Sequence, residues 1–178
     1  ADGMPCVLQH FVRLQHLRLE AKAVAEKVIA NVRSMSMAIR PCTVPAAGKP
    51  GFELADDEME IGIGIHGEPG VRREKLKSAD EIVDSLLEKI LADLDYAGGE
   101  VAVMINGCGA TTMMEMLILY KETVAYLEKM GVKVVGNMVG EVLTVQEAGG
   151  FQMNIAKGDD EIEALWNTPA HACNFFKE

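Results

Sequence analysis

What this 178-residue chain lacks narrows its chemistry before any motif is read. It has no stretch near the roughly 18 consecutive apolar residues of a membrane-spanning helix, and no basic segment followed by an apolar core at its start. A cytoplasmic protein is expected. Basic residues are scarce, 17 Lys and Arg against 27 Asp and Glu, for a formal net charge of -10. That balance argues against nucleic acid and anionic membranes as partners, since both require clustered cations. The four cysteines, Cys6, Cys42, Cys108 and Cys173, are far apart with no CxxC pair. Neither a zinc site nor a redox motif is signalled, and reduced thiols with no metal are expected.

What is present has the composition of a globular protein, 49% hydrophobic and 25% charged, long enough for one substantial core. The organising stretch is Met59 to Gly70. Ile61, Ile63 and Ile65 alternate with Gly62 and Gly64, the period of a strand. The run stops on His66, and Pro69-Gly70 suits the centre of a type II turn. Alternate glycines are expected to bare one strand face for a ligand, with the imidazole at the strand tip and Glu68 two residues on. An ordinary imidazole is mostly neutral at pH 7 and can act as base, nucleophile or metal ligand. No second histidine lies near it in sequence to support a metal.

The flanking chain reads as alternating helices and strands. Residues 1–19 have no clean pattern, and His10 and His16 fall on different sides of any helix. Spacings of three and four at Ala21, Val24, Val28, Val32 and Met35 predict an amphipathic helix from Glu20 to about Met37. Three prolines between Arg40 and Pro50 predict an extended loop, and Phe52 to Leu54 a short strand. Val71 to Lys77 reads as a basic, solvated loop. Ser78-Ala-Asp-Glu81 is a capping box that opens a helix with an apolar stripe through Leu94. Val101 to Ile105 reads as a strand buried on both faces.

Asn106 to Thr112 is a glycine-rich turn leading into a second capping box, Thr112 to Glu115, and a helix to Met130. The turn lacks the Lys-Ser/Thr of a P-loop, and Thr112 replaces the third glycine of a dinucleotide fingerprint, so a tight structural turn is expected over a phosphate site. Val132 to Val135, Asn137 to Val145 and Phe151 to Ala156 read as extended segments. Asp159 caps a last helix through Trp166, and His171 lies in the tail. The expected fold is α/β (or α+β), a mixed sheet covered by helices on at least one face.

The segments Pro41 to Pro50, Glu58 to Gly70, Asn106 to Thr111 and Ala164-Leu-Trp166 resemble the dihydroxyacetone (glycerone) kinase family, specifically the C-terminal half of its substrate-binding K subunit or K domain. The resemblance runs from about Glu20 to the end, so residues 1–19 are an atypical segment and 20–178 the second domain of the K-subunit fold. It implies that His66 forms a covalent hemiaminal with the carbonyl carbon of dihydroxyacetone, with Gly67 and Glu68 as further substrate-binding candidates. It also implies that no cofactor sits on this chain. ATP or ADP with magnesium would belong to a separate L subunit or domain, unless a phosphotransferase-system protein supplies the phosphate. The family's K subunit is about twice as long, so the resemblance implies half a subunit with a truncated or divergent start, inactive alone and expected to be a homodimer. A non-catalytic dihydroxyacetone-binding or regulatory module is the alternative.

Overall fold

A computed structural model describes residues 18–64, 68–143, 145–173 and 175–178. In chain order the elements are α1 (Arg18–Asn31), β1 (Val32–Arg40), β2 (Glu58–Ile61), β3 (Arg72–Lys75), α2 (Ala79–Asp93), β4 (Glu100–Gly107), α3 (Met113–Lys129), β5 (Lys133–Gly140), β6 (Gly149–Gly158), α4 (Asp160–Trp166), β7 (Ala170–Ala172) and β8 (Phe175–Lys177). Six strands form one mixed sheet in the order β3-β2-β1-β6-β4-β5. The β4–β5 pair is parallel and the other pairs are antiparallel. The expected mixed α/β architecture is what the chain adopts.

The capping boxes form as read. The Glu81 carboxylate accepts from the Ser78 amide at 3.1 Å and its hydroxyl at 2.7 Å. Thr112 and Glu115 cap α3 reciprocally. Asp159 Oδ1 accepts from the Ile162 amide at 3.0 Å and starts α4. Each satisfies amides that a helix N-terminus leaves free.

Two segments depart from the sequence reading. The first helix ends at Asn31, and Val32, Met35 and Met37 belong to β1. The Arg33 guanidinium donates to the Ala30 and Val32 carbonyls at 3.0 and 2.9 Å, covering the helix C-terminus with positive charge. From there Ser34-Met-Ser-Met37 alternates, and pairing with two strands outweighs the weaker helical spacing. The Val71–Lys77 region is not a loop but carries β3, an edge strand whose charges are paired: Arg73 with Glu60, Lys75 with Asp57, and Arg72 and Lys77 with Glu74. Charged side chains on an edge discourage pairing with another chain. Phe52 to Leu54 forms no strand, and the extended segments near Val132 and Asn137 merge into β5.

Side chains alternate across each strand, so the sheet has two unlike faces. Met37, Met59, Ile61, Val101, Val103, Ile105, Phe151, Met153 and Ile155 share the first face and form the core with α2 and α3. Leu86, Leu87, Leu127 and Met116 close it from the helix side, each 0–1% exposed. The second face carries Ser34, Ser36, Asn106, Gln152 and Asn154 across three adjacent strands. One end of it is covered by α1 and α4, through Val24, Val28 and Ile162 against Val32. The other end is open and forms the site.

Candidate functional site

The open end of the second face is the floor of a cleft of about 640 Å³. Ser34, Ser36 and Ala38 of β1, Gln152 of β6 and Asn106 of β4 line it, and the loop that follows β1 contributes Cys42, Val44 and Phe52. That loop is tied across to the segment before β6. The Arg40 guanidinium donates to the Glu147 carbonyl at 3.1 and 3.3 Å, and the Glu147 carboxylate accepts from the Thr43 amide at 2.6 Å. The backbone bonds that reach the Glu147 carboxylate, its own amide's first, hold its pKa below the usual range.

The floor is polar and incompletely paired. Ser34 Oγ donates to Asn154 Oδ1 at 2.5 Å. Gln152 Oε1 and Asn154 Nδ2 are buried and have no hydrogen-bond partner among the described residues. A buried polar atom left without a partner costs roughly 1–3 kcal/mol. The alternation of Phe151 to Ala156 marks a strand but not which of its faces stays open. Which face becomes core is settled only by the helices packed on it.

Residues 62–64 form another wall of the cleft. Gly62 leaves β2 at φ +78 and lies against Val71, and Gly64 lies under the Glu68 side chain. The strand thus stops at Ile61, short of the expected Ile65, and these glycines admit neighbouring side chains rather than bare a strand face. The Gly62 amide donates to the Ser36 carbonyl at 2.6 Å, and the Ser36 hydroxyl to the Ile63 carbonyl. The Gly64 amide donates to the Glu68 carbonyl at 3.0 Å. Gly70 does not take the left-handed conformation of a type II turn. It is glycine because a Cβ there would stand 2.6 Å from both Glu60 Cγ and the Ile61 carbonyl oxygen. Of the sequence-predicted site residues, His66 and Gly67 lie outside the described residues, and Glu68 is exposed beside Gly64. His10, His16 and Cys6 also lie outside them.

The last wall is the turn after β4. Asn106, 2% exposed, accepts from the Val142 and Leu143 amides at 2.8 and 2.7 Å and donates to the Leu143 carbonyl at 2.8 Å. The Gly109 amide is taken by Glu141 at 3.1 Å, and the Glu115 amide in the first turn of α3 by the Thr112 hydroxyl at 3.3 Å. Cys108 lines the cleft but is no nucleophile. Burial, with the Glu141 charge adding, pushes its thiol up to about 11. About one molecule in a thousand is then thiolate at pH 8. Iodoacetamide at that pH is expected to alkylate exposed Cys173 well before Cys108, as read by peptide mass mapping. Equal rates would show that the turn opens.

His171 packs edge-to-face on Phe176, ring centroids 4.3 Å apart, in the β7–β8 hairpin. Among the described residues no group of three or more His, Cys, Asp or Glu is placed to hold a metal, and no helix is long and apolar enough to cross a membrane.

Comparison with known proteins gives this geometry a family. The Dak1 domain model matches residues 14–174. The PTS-dependent dihydroxyacetone kinase 1, dihydroxyacetone-binding subunit DhaK, of Listeria innocua is 45% identical over 143 residues, which are 80% of this chain and 44% of that protein. Among solved structures, the dihydroxyacetone kinase operon co-activator Dha-DhaQ superposes with a TM-score of 0.85 at 27% identity, over 94% of this chain and 52% of that one. The native dihydroxyacetone kinase of C. freundii shares the fold, with a TM-score of 0.83 at 23% identity over 97% of this chain and 32% of that one. The chain spans a little under half the length of the curated DhaK relatives that it matches. The match to the Dak1 domain from residue 14 to residue 174, with the 45% identity to a DhaK subunit, places the chain in the Dak1 domain family, that of the dihydroxyacetone kinase K subunit and K domain.

Proposed function

We propose that this chain is the substrate-binding part of a dihydroxyacetone kinase and that His66 holds dihydroxyacetone as a covalent hemiaminal. The observation that carries the reading is the cleft, whose unpaired polar floor suits a small hydroxylated ligand and whose wall ends at Gly64, two residues before His66. In the reaction, the lone pair of a neutral ring nitrogen adds to the carbonyl carbon. The carbonyl π pair moves to oxygen, which takes a proton while the ring gives one up. A tertiary nitrogen has no second hydrogen to lose, so addition stops before loss of water. Glycerol, which has no carbonyl, is refused by bond type rather than by shape.

Phosphoryl transfer to a hydroxyl of the tethered ketone is assigned to a complex. At the start of α3 the Glu115 carboxylate holds the Thr112 amide and the Glu141 carboxylate that of Gly109, so a phosphate there would meet two carboxylates. We assign the nucleotide and magnesium to an L subunit, or the phosphate to a phosphotransferase-system protein, a reading in keeping with the PTS-dependent relatives. Native mass spectrometry tests the anchor. Wild type is expected to gain the full mass of one dihydroxyacetone, without loss of water, and nothing with glycerol. No gain, or an equal gain with both, would remove the covalent reading.

The likeness to an operon co-activator favours a second reading, a dihydroxyacetone-binding regulatory module without turnover. Both readings give the adduct. Phosphorylation of dihydroxyacetone on adding L subunit and donor selects the kinase. A well-folded chain that forms the adduct but supports no turnover selects the regulator.

A further inference from the structure

The segment between β2 and β3 is held at its base by a carboxylate that the proposed chemistry does not use. Glu60 is 8% exposed on the second face of the sheet. Its Oε1 accepts from the Gly70 amide at 2.8 Å, and its Oε2 from the Arg73 guanidinium at 2.8 Å. The Arg73 pairing, aided by the Gly70 amide and opposed by burial, keeps the carboxyl below the usual range. Across the neck, the Ser36 carbonyl and hydroxyl hold Gly62 and Ile63. Both legs of the segment that carries His66 are thereby tied to the sheet, one through β1 and the other through Glu60.

A buried carboxylate is an expensive tie. Its two partners outweigh the cost of its burial, but a pair as open as this one, with 44% of the Arg73 side chain exposed, adds little to stability. Stability alone would be served as well by an apolar residue, such as neighbouring Ala38, which pairs with Glu60 in register. What an apolar residue cannot do is accept the Gly70 amide while its stem fills the space against which Gly70 is packed.

We propose that Glu60 is the positioning residue of the His66 segment, fixing its return leg through Gly70 so that a small hydroxyketone meets the imidazole in a reactive orientation. This rests on the reading of His66 as the covalent anchor. Orientation errors of about 1 Å can cost a hundredfold in such steps.

The test titrates dihydroxyacetone against the 178-residue chain by native mass spectrometry, with melting curves recorded in parallel. Glu60→Ala is expected to raise the concentration for half-labelling by roughly 10–100-fold while its melting curve still shows a cooperative fold. Glu60→Gln, whose amide oxygen can still accept from Gly70, should label close to wild type. If Glu60→Ala does not fold, Glu60→Asp takes its place, since it keeps the charge but is too short to reach both partners, and the same rise is expected. Labelling of folded Glu60→Ala or Glu60→Asp like wild type would overturn the proposal, as would Glu60→Gln failing as badly as Glu60→Ala. Absence of any adduct on wild type would remove the anchor itself, and this inference with it.

Discussion

His66→Ala is expected to lose the dihydroxyacetone adduct completely while melting like wild type. On the proposed hemiaminal the effect is all-or-none, because the substitution removes the nitrogen of a covalent bond. A merely weakened pocket would instead shift the concentration for half-labelling. Glutamine, which has a polar end but no nucleophilic ring nitrogen, is expected to fail equally. Acid should mimic the substitution in wild type. On the proposed mechanism the adding nitrogen must be unprotonated, so protonating the ring is expected to abolish capture. An adduct on His66→Ala, found by intact mass at the same ketone concentration, would move the chemistry to another residue.

Gly109→Ala is expected to be the most destabilising small substitution at the cleft. Gly109 sits at φ +76, where an alanine costs roughly 1–2 kcal/mol. A Cβ there would also fall 1.4 Å from the Gln146 carbonyl oxygen, which is backbone and cannot swing aside. The 145–148 segment would have to move, taking Val145 and Ala148 out of the cleft wall. A total loss of about 2–5 kcal/mol follows from left-handed strain plus overpacking. For a chain of this size that is a fall in melting temperature of roughly 5–15 °C. Gly131→Ala is the control. It has a similar φ of +72 with nothing within 4 Å, so it carries the conformational cost alone. Equal melting of the two variants would show that the 145–148 segment yields freely.

Local chemistry explains what could be read from the chain. Ser78 with Glu81, Thr112 with Glu115 and Asp159 with Ile162 act within one helical turn, and each helix begins where its cap stands. The Val101 to Ile105 run needs no partner to be recognised as buried. What escaped depends on residues far apart. The helical spacing through Val32 and Met35 competed with the Ser-Met alternation, and only pairing with β2 and β6 decided for the strand. The charges of β3 are mostly exposed as their composition suggests, but their pairing with Glu60 and Asp57 across the strands and with Glu74 in β3 itself depends on the fold. Within the site, the Met59 to Gly70 motif could be singled out, whereas Ser34, Ser36, Gln152 and Asn154 converge only when β1 lies beside β6. Nothing in their local sequence marks them as one surface.

That same pairing sets how the chain must fold. Ser34 and Asn154 are neighbours at the centre of the sheet but 120 positions apart in the chain. Closing so long a loop costs chain entropy before any native contact offsets it, and non-local pairing of this kind slows two-state folding toward milliseconds or longer. During synthesis, β1 is made well before β6 and has only β2 as a neighbour until that last long strand leaves the ribosome. The central element of the finished sheet is thus the last to be secured, and α2, β4 and α3, whose contacts are local, can assemble ahead of it.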